Sequence, residues 1–142
     1  VTQAFTFPSS FDGPLHDSFV ADIDPVWRGP CQKFLEQHKE EFDGVIITNV
    51  FGFQTEILEY ERWCQRNDKL LISDNAATPI GFVDDEQKTC LHDIGDGSII
   101  SFHETKPFGR GEGGAILAKR EVLSFVHQAM NFGFDIPRQI RV

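Results

Sequence analysis

Apolar residues along this chain gather into two kinds of run that alternate. The first kind is short, nearly continuous and rich in β-branched residues. "GVIITNVF" (44–51), "KLLIS" (69–73), "GSIISF" (97–102) and the shorter "GGAILA" (113–118) are of this kind and read as strands. Such continuity implies cover on both faces, as in a parallel sheet. "SFVADI" (18–23) reads as a further strand that ends in acidic residues. The second kind has helical spacing. "CQKFLEQHKEEF" (31–42) has Pro30 near its first turn, a position that proline tolerates. "QTEILEYERWCQRN" (54–67) repeats Ile57, Leu58, Tyr60 and Cys64 at helical intervals until Asn67 and Asp68 break it. "EVLSFVHQAMN" (121–131) sets Val122, Val126, Ala129 and Met130 on one side, with Gly133 as its stop.

Strands that alternate with helices predict an α/β fold: a mainly parallel sheet flanked by helices. In such sheets ligands sit at the carboxyl ends of the strands. Asp74 directly follows the 69–73 strand and Lys106 lies just beyond the 97–102 strand, so the pattern brings an acid and an amine to one crevice. No internal repeat, low-complexity segment or linker divides the chain, which reads as one domain or part of one.

Composition narrows the partners. At 142 residues the chain is domain-sized, and its 40% apolar content can build a core. A net charge of −9 argues against a duplex nucleic-acid binder, which needs a basic face. No apolar run approaches the roughly 18–20 residues of a membrane span. No signal peptide is visible, so the cytoplasm is the default location. Cys31, Cys64 and Cys90 are odd in number and widely spaced, which gives neither a metal-ligand pattern nor a disulfide framework. The chain opens at Val1 inside a strand-like phrase and closes on "IPRQIRV"; it reads as a piece of a longer protein.

The chemistry turns on Lys106. A lysine at a strand end can hold phosphate, pair with a carboxylate, or form a Schiff base with a carbonyl cofactor. The Walker loop needs its glycines before the lysine and Ser or Thr directly after it. Here Pro107 follows, and the glycines come later. "GRGEGG" (109–114) precedes a strand rather than opening a helix, so it is no dinucleotide fingerprint. The Schiff-base alternative asks for an acid at a pyridine nitrogen, an aromatic surface against the ring, and hydroxyl donors around a phosphate. Asp74, Phe7 and Ser101 are residues of the right types.

"FTFPSS" (5–10), "FVADIDP" (19–25), "VFGF" (50–53), "ISDNAATPIG" (72–81), "GDGSIISFHETKPFGRGEGGAIL" (95–117) and "NFGF" (131–134) follow one another in order. Together they resemble the DegT/DnrJ/EryC1/StrS family of sugar aminotransferases, which depend on pyridoxal 5'-phosphate (PLP). The most specific part is S-F-H-x-x-K followed by G-x-G-x-x-G-G, where Ser101, Phe102, His103 and Lys106 match position by position. The resemblance implies that Lys106 carries the cofactor and shuttles the proton. It implies that Asp74 faces the pyridine nitrogen, that Ser101 binds phosphate, that Phe7 stacks on the ring, and that His103 lies near the cofactor. Lysine at 106, where a dehydrating branch of the family has histidine, points to transamination. The implied substrates are a nucleotide-linked keto sugar and an amino donor, glutamate. The implied assembly is a homodimer that shares its active sites.

Two departures stand against the family pattern. Three residues after the Asp, where the family places Gln or His against the cofactor's phenolic oxygen, this chain has Ala77, with Thr78 the nearest possible substitute. By the resemblance, the chain is the central part of a large domain of fold-type I transferases. It lacks the N-terminal phosphate-binding segment and the C-terminal small domain. The alternative reading is a non-catalytic, truncated unit for folding or interaction. A nucleotide-binding α/β module is a third, resting on the glycines alone.

Overall fold

The structure is a computed structural model that describes residues 19–26, 28–49, 56–78, 80–84 and 86–129. Four strands form one sheet in sequential order: β1 (Gly44–Thr48), β2 (Leu70–Asp74), β3 (Gly97–Ser101) and β4 (Gly114–Ala118). β1, β2 and β3 run parallel, with Val45 opposite Leu71, Thr48 opposite Asp74 and Asp74 opposite Ile99. β4 returns antiparallel, with Ile99 opposite Ile116 and Ser101 opposite Gly114. The mainly parallel sheet expected from the apolar runs is therefore present, with a reversed strand at one edge.

The helices are α1 (Gln32–His38), α2 (Ile57–Arg66) and α3 (Arg120–Ala129), with a 3₁₀ turn at Leu91–Asp93. α2 is the crossover between β1 and β2. It buries Ile57, Tyr60, Trp63 and Cys64 against Val45, Ile47 and Leu71, while Leu91 and Ile94 close the core from the β2–β3 connection. Asn67 and Asp68 end α2 as expected: Asn67 N–H bonds back to Trp63 and Cys64 carbonyls, and Asp68 has φ +53°. Among the described residues no helix is long and apolar enough to cross a membrane.

Three expectations need correction. Residues 19–23 of the "SFVADI" run form no sheet strand; Ile23 makes only an isolated bridge to Pro30. The aspartates there satisfy the local backbone instead. Asp22 accepts the Ile23 N–H and Asp24 the Val26 N–H, which curls the chain rather than extending a ladder. α1 stops at His38 rather than Phe42. Glu40, Glu41 and Asp43 crowd the end where the helix dipole is negative. α3 starts at Arg120, one residue early, and its expected last residues, 130 and 131, lie outside the described residues.

Tyr60 ties the core to the chain before α1. Its hydroxyl donates to the Pro30 carbonyl at 2.8 Å, and Gly29 packs so closely that a Cβ there would sit 2.7 Å from that oxygen. Burial, with Asp24 nearby, drives the phenol well above its ordinary range. Burial likewise pushes the Cys64 thiol up to about 12, helped by Asp96 and Glu61.

Candidate active site at the carboxyl edge

β2 and β3 are parallel neighbours, so Asp74 and Ser101, their last residues, end at the same edge of the sheet. Asp74 stays half-buried there. Its Oδ1 accepts the Ala76 N–H at 3.0 Å in a tight Asx turn. The carboxylate has no cationic partner among the described residues. Thr48, opposite it on β1, carries a hydroxyl shut off from solvent and without a partner.

Lys106 sits in a compact excursion between β3 and β4. The strands continue past their formal ends, with Phe102 N–H donating to Gly113 O, Arg110 N–H to Phe102 O and Glu104 N–H to Gly111 O. The glycine-rich stretch is thus the return limb of the excursion. Two stacked turns follow at its tip: Lys106 N–H to His103 O at 2.8 Å, and Gly109 N–H to Lys106 O at 2.9 Å. A Cβ on Gly109 would lie 2.6 Å from His103 O, so only glycine lets the limbs approach this closely. The half-buried Lys106 also has no ion pair among the described residues.

His103 braces this turn. Its Nδ1 accepts the Thr105 N–H at 3.2 Å and lies 2.8 Å from Thr105 Oγ1. An amide can only donate, so Nδ1 is the acceptor, and the ring proton sits on Nε2, 3.6 Å from Glu112 Oε1. Ser101 Oγ accepts the His103 N–H at 3.3 Å, which leaves the hydroxyl proton free to donate elsewhere. Ala77 lies on the turn after β2 and brings no polar side chain. Thr78 does not replace it, because its hydroxyl donates to Asn49 O at 3.4 Å, inside the protein. Phe7 lies outside the described residues.

Beneath Asp74 the structure holds a buried polar network that the apolar pattern did not reveal. Asn49, Ser73, Asn75 and Ser98 are all 0% exposed. Asn49 Nδ2 donates to Asn75 Oδ1. Asn75 Nδ2 donates to Ser98 Oγ at 2.8 Å and Ser73 Oγ at 3.0 Å, and Ser98 Oγ lies 2.7 Å from His92 Nδ1. Two signals were available: Ser73 and Ser98 interrupt apolar runs at buried positions, and Asn75 follows directly on the strand-end Asp.

A cavity of about 230 Å3 opens at the other edge of the sheet, lined by Cys64, Leu71, Gly95, Asp96 and Lys119 among others. Asp96 braces it by accepting the Leu71 N–H at 2.9 Å and the Lys119 ammonium at 2.7 Å. That hydrogen bond holds Lys119 above its ordinary range. None of the candidate site residues Asp74, Ala77, Ser101, His103 and Lys106 lines this cavity.

The profile of the DegT/DnrJ/EryC1/StrS aminotransferase family matches residues 1–137. Protein Rv3402c of Mycobacterium tuberculosis is 30% identical over 145 residues, covering 96% of this chain and 35% of its own length. The dTDP-4-amino-4,6-dideoxy-D-glucose transaminase of Shigella dysenteriae is 28% identical, covering 93% of this chain and 38% of its own. Among solved structures, a protein of Bacillus cereus ATCC 10987 described as a PLP-dependent aminotransferase superposes with a TM-score of 0.66 at 28% identity. It covers 94% of this chain and 38% of its own. DesI, solved with its TDP-sugar product, shares the fold with a TM-score of 0.65 at 22% identity, over 84% of this chain and 30% of its own. The chain spans little more than a third of the length of the curated relatives it matches.

Proposed function

The chain belongs to the DegT/DnrJ/EryC1/StrS aminotransferase family, and from that membership we propose that it is the central part of a PLP-dependent sugar aminotransferase. The whole protein transfers an amino group, with glutamate as donor, to a keto sugar carried on a nucleotide. One observation carries the reading. A carboxylate and an amine leave the same edge of a parallel sheet, at Asp74 and on the turn after β3, and neither has a counter-ion among the described residues. Neither charge is spent on an ion pair within the described fold, so both can meet a ligand at this edge.

The donor set fits pyridoxal phosphate. Asp74 keeps one oxygen without a partner among the described residues, suited to a protonated pyridine nitrogen. Ser101 has a hydroxyl proton to give to a phosphate oxygen. The orphaned Thr48 hydroxyl, beside Asp74, marks the same edge as a place where polar capacity awaits a partner. When bound, the cofactor supplies an electron sink for the substrate carbon. Lys106 Nζ would be the covalent anchor and the base that moves a proton between the substrate carbon and the cofactor's C4′ carbon. His103 holds the turn that presents Lys106. Phe7 is the ring-stacking residue in this reading.

Missing segments complete the site in the whole protein. A phosphate-binding helix N-terminus precedes the chain, a small domain follows it, and a second subunit closes the crevice in a cytoplasmic homodimer. Phe108, over half exposed on the Lys106 turn, supplies apolar surface for that contact. A second reading rests on Ala77 and on Thr78 being engaged with Asn49 O. With no group for the cofactor's phenolic oxygen, the protein is a non-catalytic unit that keeps the lysine. The test is the absorbance of the full-length protein purified with added PLP. A visible band that borohydride abolishes, with the label recovered on the Lys106 peptide, supports the aminotransferase. No band, or label elsewhere, overturns it.

A further inference from the structure

We propose that Asn75 is a positioning residue for Asp74, acting through a hydrogen-bonded lattice that ties the carboxyl ends of β1 and β2 to the start of β3. The proposal rests on the aminotransferase reading above and deepens it by identifying what fixes the acid.

The lattice has an internal order. Asn75 Nδ2 has two protons and three polar neighbours: Ser98 Oγ at 2.8 Å, Ser73 Oγ at 3.0 Å and His92 Nδ1 at 3.4 Å. The two serines take the protons. Ser98 Oγ also lies 2.7 Å from His92 Nδ1, and Ser73 passes its proton to the Gly97 carbonyl at 3.4 Å. On the other side of the amide, Asn75 Oδ1 accepts from Asn49 at the end of β1. One side chain therefore joins β1, β2 and β3 with both of its amide protons placed.

The backbone carries this constraint to Asp74. Asn75 N–H donates to Ile99 O at 2.9 Å and Asn75 O accepts the Thr78 N–H at 2.9 Å. Asp74 O accepts the Asn49 N–H at 3.0 Å. The Asp74 carboxylate also leans on the Ala76 N–H, on the far side of Asn75. The 74–75 peptide, which flanks Asp74, and the 75–76 peptide, whose N–H holds the Asp74 carboxylate, are thus both parts of the residue that the lattice fixes.

The lattice is local to this edge. Elsewhere the same face of the sheet is packed by Val45, Ile47, Leu71 and Leu91. An apolar core would serve stability at least as well as a buried polar one. The polar lattice fixes one geometry, and it lies directly under the acid whose geometry the chemistry needs.

A double-mutant cycle on PLP affinity in the full-length protein tests this, read by absorbance titration with PLP itself. Asp74→Asn and Asn75→Ala should each weaken PLP binding, by about tenfold or more, and the double variant should bind no worse than Asp74→Asn alone. Losses that multiply show that Asn75 acts independently of Asp74 and overturn the proposal. If Asp74→Asn itself leaves PLP affinity unchanged, the cofactor reading falls, and the proposal falls with it. Should Asn75→Ala fail to fold, Ser98→Ala cuts a single strut, and the same non-additivity with Asp74→Asn is required of it.

Discussion

Thr48 and Asp74 stand opposite each other at the ends of two parallel strands, and each holds hydrogen-bonding capacity in reserve. A hydroxyl buried without a partner costs about 1–3 kcal/mol, and valine has nearly the shape of threonine. Thr48→Val should therefore raise the stability of the full-length protein without cofactor by about 1 kcal/mol, measured as a higher urea midpoint at constant slope. An unchanged or lower midpoint means that the hydroxyl is already satisfied.

Lys106→Ala should remove both the anchor and the proton carrier. In the full-length protein, covalent labelling by borohydride at this peptide should vanish, and transamination should fall by about 10²–10⁴-fold or more. Non-covalent PLP binding should persist, because the contacts proposed for Asp74 and Ser101 are untouched. Near-normal turnover in this variant removes Lys106 from the chemistry.

At PLP concentrations that saturate the weakened site, Asp74→Asn should separate covalent attachment from catalysis. The cofactor should still be fixed on Lys106, whereas the half-reaction with glutamate should slow by about tenfold for each unit by which the ring nitrogen's pKa drops. Rapid-scan spectra measure this directly, and an unchanged half-reaction rate excludes Asp74 as the ring-nitrogen partner.

Tyr60 and Gly29 make a prediction about stability alone. Tyr60→Phe leaves the Pro30 carbonyl unpaired in the core and should cost about 1–2 kcal/mol. Gly29→Ala drives a methyl into a fully buried ring and should cost about 1–3 kcal/mol. Both should lower the melting temperature without changing the borohydride label at Lys106.

Cys64 and Tyr60 set the alkaline limit. Both are held above their ordinary values in the folded chain, so the unfolded chain gives up its protons first as pH rises. Their stabilisation is complete below about pH 8.5, where an unfolded thiol begins to ionise. It is lost as pH climbs towards 12, the folded value of Cys64. Urea midpoints should fall over this range, and Cys64→Ala should flatten the decline. At neutral pH Cys64 should resist iodoacetamide until the protein unfolds, whereas the half-buried Cys31 and Cys90 react earlier. Rapid alkylation of native Cys64 contradicts this.

How much of this was legible beforehand differs by element. The buried strands were, because Val45, Ile47 and Leu71 alternate with half-buried neighbours inside runs too apolar for any other placement. α2 was legible from its repeat and its Asn-Asp stop. The 18–23 run misled because Val20, Ala21 and Ile23 give a strand's pattern, whereas Asp22 and Asp24 decide the backbone through short-range bonds that hydropathy does not register. The candidate residues Asp74, Ser101 and Lys106 were legible as strand-end polar groups. The Asn75 lattice was not, because it joins residues 26 and 23 positions apart, Asn49 and Ser98, that only the parallel register makes neighbours.

The antiparallel return that carries the Lys106 turn also has a cost for the chain handled alone. β4 is an outermost strand of the sheet among the described residues, and its Ile116 and Leu117 are 43% and 46% exposed. A border of open amides and carbonyls with apolar flanks is a template on which a second copy can add its own strand. At the concentrations of overexpression, such edge-to-edge pairing should draw the chain into aggregates. A lysine in place of Ile116 puts a charge on that rail, which stops the pairing while leaving the β3–β4 ladder intact.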